Sequence, residues 1–191
     1  MNKFSMLSNN RTSQSGMTFL EVLIAMVIIV TGVLGAVAMQ ATAKQASFDA
    51  MQRSLASSLA QDIIARIRTN NPTNLAAYVA SDYGSLPLGD EPDSRCDFDD
   101  APCDSAGMAA NDIYEWELAL AGGDVTSGSY MRGGLVGGQG CISQVVGSPN
   151  ALIVVVAWKG RTAIQDSVKS ASCGDSGENT RRQVIVQAFI I

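Results

Sequence analysis

The sequence has 191 residues, 13 basic and 18 acidic, with no histidine, a net charge of −5 and four cysteines. That length holds one anchor segment and one modest domain. The acidic balance makes nucleic acid and anionic lipid poor default partners, and the lack of histidine removes the usual general base.

The chain opens on a short polar leader, Met1–Ser15, whose only charges are Lys3 and Arg11. From Gly16 to Ala43 the one charged residue is Glu21, and Val22–Ala43 carries none. As a helix that uncharged run spans roughly 33 Å, enough to cross a hydrocarbon core of about 30 Å. The basic residues before it and Lys44 after it favour a cytoplasmic amino terminus, weakly. A secretory signal places its small-residue cleavage site after the apolar run. Here the small residue, Gly16, comes first, so cleavage there keeps the hydrophobic helix.

The stretch G-M-T-F-L-E ahead of a long apolar run resembles the leader and first helix of type IV pilins and type II secretion pseudopilins. The resemblance implies cleavage by prepilin peptidase between Gly16 and Met17, then N-methylation of Met17, which stands where the family usually has phenylalanine. Losing Lys3 and Arg11 would leave 11 basic against 18 acidic residues, or −7. Glu21 then falls at the fifth mature position, where the resemblance implies filament assembly by pairing with a neighbour's amino terminus. On physical grounds alone, a carboxylate at the entrance of an apolar span is costly and marks a functional residue. The plain alternative is an interfacial glutamate reaching headgroup water.

Phe48, Met51, Leu55, Leu59, Ile63 and Ile67 then recur at helical spacing, with Gln52, Arg53, Gln61, Asp62, Arg66 and Arg68 off the stripe. Asn70-Asn71-Pro72 stops the pattern. The spacing predicts one helix from about Thr18 to Thr69, roughly 77 Å long, with Gly32 and Gly35 as points of close approach or of unwinding. From Thr73 to Asn111 the residues read as a loop with seven acids between Asp90 and Asp104. A calcium loop lacks its D-x-D-x-D-G pattern there. Asn111 or Asp112 can cap a short helix carrying Ile113, Trp116 and Leu120, closed by Gly122-Gly123. Strands are predicted over Ser129–Leu135, Gly140–Val146, Ala151–Trp158 and Arg182–Ile190. The third is apolar on both faces, as a central strand is, and the fourth is similar apart from Gln183 and Gln187. The fold class is α+β, a long N-terminal helix packed on an antiparallel sheet, which is also the pilin-like architecture. The expected divisions are a leader (1–16), a membrane or filament-core half-helix (17–43), an amphipathic half-helix (44–71) and a periplasmic or extracellular globular domain (72–191).

An even cysteine count in an exported domain points to two disulfides, with three pairings open. The preferred one joins Cys96 to Cys103 and Cys141 to Cys173. Zinc is disfavoured because paired C-x-x-C units and histidine are lacking. Cys173-Gly174-Asp175-Ser176-Gly177-Glu178 is similar to the segment around a trypsin-like nucleophile, but no histidine can serve it. The glycine-rich run Gly133–Gly140 does not open a helix and is no phosphate cradle. No catalytic residue, metal or cofactor is expected.

N-D-I-Y-E-W-E-L-A-L and T-G-V-L-G-A-V-A-M-Q are similar to segments of PilV-type minor pilins. That resemblance implies a single-pass inner-membrane subunit with its C-terminal domain in the periplasm, reaching the pilus surface after assembly. The implied role is priming or capping a type IV pilus, and the implied partners are the major pilin, other minor pilins, the assembly platform and a tip adhesin. The alternatives are a type II secretion pseudopilin and a pilus-associated binder of DNA or a surface ligand. The last would use Lys159, Arg161, Lys169, Arg181 and Arg182 as a basic patch, which Asp166, Asp175 and Glu178 interrupt.

Overall fold

The computed structural model describes residues 16–93, 95–96, 103–123, 125–128, 130–131, 133–163, 173–174 and 179–191. Outside the described residues lie the leader Met1–Ser15, Asp97, Asp99, Asp100, Asp166, Lys169, Asp175, Ser176, Gly177 and Glu178. The chain divides into two compact units, Met1–Lys44 and Gln45–Ile191.

Helix α1 is Phe19–Thr69. Its residues in the first unit are exposed throughout, and an 18-residue window there has a mean hydropathy of 2.8, so the helix is long and apolar enough to cross a membrane. Gly32 and Gly35 remain helical. The hydroxyls of Thr31 and Thr42 donate back to the carbonyls of Val27 and Ala38 at 2.9 and 3.1 Å. That satisfies two polar groups within the helix itself.

The second unit is an α+β fold. A four-stranded antiparallel sheet has the order β1-β4-β5-β6, with β1 at Ala80–Tyr83, β4 at Gln139–Val145, β5 at Ser148–Lys159 and β6 at Arg181–Phe189. A separate hairpin pairs β2 (Thr126–Ser127) with β3 (Tyr130–Met131). The part of α1 after Lys44 and helix α2 (Ser105–Ala121) lay their buried residues into one core with the sheet. Ala56, Ile63, Trp116, Leu120, Leu152 and Val156 are all fully enclosed there. The Trp116 indole N–H donates to the Leu59 carbonyl at 2.9 Å, and its ring meets Tyr83 edge-on with centroids 5.4 Å apart.

Four sequence expectations shift. The buried stripe of α1 begins at Gln52, whose side-chain oxygen accepts the Val136 amide at 3.0 Å, while Met51 is exposed. Helix α2 starts two turns earlier than expected because Asp104 caps it, accepting from the Gly107 amide at 2.7 Å. The stretch read as loop contains a 3-10 helix at Pro72–Tyr78, capped by Asn71, and then β1. The strand expected over Ser129–Leu135 shrinks to β3, and Gly133 and Gly134 turn the chain back under the end of α2.

That turn is a backbone-to-backbone contact. Gly134 has φ +70°, and a Cβ on it would lie 2.5 Å from the Gly122 nitrogen and 2.7 Å from the Leu120 oxygen. Gly134→Ala therefore combines a left-handed backbone with a collision that no rotamer relieves. It should destabilise the full chain by about 3 kcal/mol or more in denaturant unfolding, and an unchanged midpoint would refute the close approach.

Candidate assembly site

Gly16 and Met17 lead into α1 and are exposed, Met17 at 72%. Thr18 caps the helix: its hydroxyl accepts from the Glu21 amide at 3.3 Å, and its carbonyl accepts from the Glu21 and Val22 amides at 3.1 and 3.3 Å. Thr18 and Glu21 stand at the two ends of a T-x-x-E capping box, a signal that places the helix start and was open to sequence reasoning. Only the threonine half of the box forms among the described residues, so the Glu21 carboxylate has no hydrogen bond or ion pair within them. It lies in the first turn, where the helix dipole favours a negative charge, on an exposed apolar surface shared with Leu20, Ile24, Ala25 and Ile28. Chemically, this is a carboxylate with no cation beside it among the described residues.

The four cysteines form two disulfides, Cys96–Cys103 and Cys141–Cys173. The second packs with Val155 and Ala157 on the face of the sheet opposite α1. Arg181 and Gln183 donate to the Cys173 carbonyl at 2.6 and 2.8 Å. The other arginines of the expected basic patch are also engaged within the chain. Arg161 stacks 4.3 Å above the Phe48 ring, and Arg182 bonds Thr162 and approaches Asp49 at 3.9 Å. Among the described residues no cluster of metal-ligating side chains forms.

A family model for the prokaryotic N-terminal methylation motif matches residues 11–37, which include Gly16, Met17 and Glu21. A second, described as type IV pilin Tt1218-like, matches residues 38–114. The two matches together run from residue 11 to residue 114, and they support a type IV pilin. No curated protein and no solved structure matches it. Pilins are structural subunits, and the long helix on an antiparallel sheet is their fold.

In the pilin's globular unit, α1, α2 and the acidic connection meet in a charge network that the sequence did not reveal. Arg66 donates to Asp62 at 2.9 Å and to Glu115 at 2.6 Å, and lies 3.5 Å from Asp112. Arg95 reaches Glu115 at 3.1 Å and Asn111 at 2.9 Å, and covers the Tyr114 ring. Tyr78 donates to Asp112 and accepts from Asn70, both at 2.8 Å. Burial pushes the Tyr78 phenol well above its usual range, and Asp112 adds to this against the opposing Asn70 bond. Burial would also raise the Glu115 carboxyl, but hydrogen bonds from Arg66 and Asn111, the Arg66 charge and the Arg95 bond outweigh it and hold it below its ordinary value. Its stabilising contribution is thus full above the unfolded value near 4.3 and is lost as pH falls through the lower folded value.

Glu115→Gln should cost about 1 kcal/mol at neutral pH, the scale of a partly exposed ion pair. It should also flatten the fall in stability below about pH 4. Urea midpoints of the two full-length pilins across pH 3–7 check this, and parallel curves would refute the role of Glu115.

Proposed function

We propose that this pilin is a minor subunit of a type IV pilus, similar to PilV-type proteins, that primes or caps filament assembly. Prepilin peptidase cuts Gly16–Met17, the Met17 amine is methylated, and residues 17–43 hold the subunit in the inner membrane with the domain beyond residue 71 in the periplasm. Residues 44–71 form the amphipathic half-helix that joins the two. The observation that carries this reading is Glu21, an exposed carboxylate in the first turn of α1 and the one charge between residues 17 and 43. In hydrocarbon such a charge is unfavourable until it is paired. A neighbouring subunit's amino terminus supplies the missing cation and is itself left charged by cleavage. The partners are the major pilin, other minor pilins, the assembly platform and a tip adhesin. The cysteine-bearing domain suits an exported, oxidising setting, and the engaged arginines disfavour a DNA-binding role.

Glu21→Val should be cut at Gly16 normally but enter sheared filaments at least tenfold less than the unaltered subunit. Equal incorporation would sink the pairing. In a deletion strain, sheared pili should fall to a small fraction of the parental amount with enzyme secretion intact. Loss of secretion with normal pili would instead assign the subunit to type II secretion.

A further inference from the structure

The globular unit holds an open apolar groove of about 1000 Å³. Phe48, Met51 and Leu55 of α1 form one wall, and Leu86, Met131 and Val136 complete it. Met51 and Leu86 are exposed at 56% and 75%. A space of that size, lined mainly by apolar side chains with few polar groups, has the form of a ligand site. Met51 and Met131 are flexible enough to follow a chain of irregular shape.

Two polar groups say what the ligand carries. Gln52 lines the groove and is 3% exposed. Its amide oxygen accepts the Val136 N–H at 3.0 Å, which leaves its NH2 without an acceptor among the described residues. A buried donor in that state is costly until an oxygen from elsewhere meets it. The second group is Arg161. The Lys159 amide donates to the Val136 carbonyl at 2.8 Å, which brings the end of β5 to the groove. Two residues further on, the Arg161 guanidinium lies 4.3 Å above the Phe48 ring. Stacking uses the face of the guanidinium and leaves its N–H edge open. Arg161 is exposed and pairs with no acid among the described residues, since Asp49, next to Phe48 in the chain, approaches Arg182 at 3.9 Å. An acidic chain thus sets an open cation beside an apolar groove with a buried donor inside it.

We propose that the groove binds an anionic phospholipid of the membrane that holds the chain. An acyl chain fills the space between Met51 and Leu86, its ester carbonyl accepts from the Gln52 NH2, and its phosphate meets the Arg161 edge. Phe48 is four residues beyond Lys44, the first charge after the apolar run, and four residues span at most about 14 Å. The groove is therefore within chain reach of the headgroups. The site rests on the reading of residues 17–43 as the membrane anchor.

The full-length chain in phosphatidylcholine vesicles with a small fraction of acyl-brominated phosphatidylglycerol tests this. A bimane on Met51→Cys should be quenched at least threefold more than one on Arg53→Cys, two residues along α1 and outside the groove. The same fraction of brominated phosphatidylcholine should quench Met51→Cys at least threefold less, and Arg161→Gln should erase that preference without moving the unfolding midpoint. Unbrominated ether-linked phosphatidylglycerol, which has no carbonyl, should compete at least threefold less well than the ester-linked form. A bimane on Val30→Cys reports the anchor, and no quenching there would refute the anchor and this site together. With Val30→Cys quenched, three results would each overturn the lipid site alone: equal quenching at positions 51 and 53, equal quenching by the two brominated lipids, or equal competition by the ether lipid. Quenching at Met51→Cys that falls as unlabelled chain is added at constant lipid would give the groove to a second copy and overturn it as well.

Discussion

The globular unit depends on one constraint: the face of α1 from Gln52 to Ile67 has to be taken out of water. Ile63, Ile64 and Ile67 are each worth about 1.5–3 kcal/mol when enclosed, and no helix of this kind keeps its form without a surface to receive that face. The sheet supplies the surface through Leu152, Val154 and Val156, the inward residues of β5. Helix α2 completes it with Trp116 and Leu120. The Trp116 bond to the Leu59 carbonyl ties α2 to α1 inside the core, where an unmet indole N–H would be costly.

A second layer of interactions fixes what the core leaves loose. Between β1 and α2, Arg95 is tied to α2 through charge. Glu115 is shared by Arg66 from α1 and Arg95 from the connection, so one carboxylate fastens three parts of the chain. The two arginines also screen it from Asp112 and Glu91, which would otherwise repel it. The acidic composition is thus compatible with close packing because each arginine serves several acids.

Much of this was open to reading in the sequence. The long helix was evident from the switch between an all-apolar run and a one-sided stripe, and the antiparallel sheet from apolar runs separated by glycine turns. The residues misread share a physical cause. Gln52 looks like a surface residue until Val136 brings its amide alongside, and Met51 looks like core until that contact rotates the stripe. Asp104 is one acid among many, and only geometry marks it as a cap. β1 is polar and short, stabilised by β4 and not by its own pattern. β6 reads as central because it is apolar on both faces, yet it is an edge. Of the candidate site, Gly16, Met17 and Glu21 stand out in sequence, whereas the lack of a partner for the Glu21 carboxylate among the described residues is a matter of geometry.

The connection between β5 and β6 is fastened at both of its ends. Gly160 donates to the Thr180 carbonyl at 2.8 Å, and Cys173 is bound both to Cys141 and, through its carbonyl, to Arg181. The return of the chain to β6 is thus set by two independent ties, one through the backbone and one covalent, and both act at the end of the sheet where Lys159 pairs with Arg181.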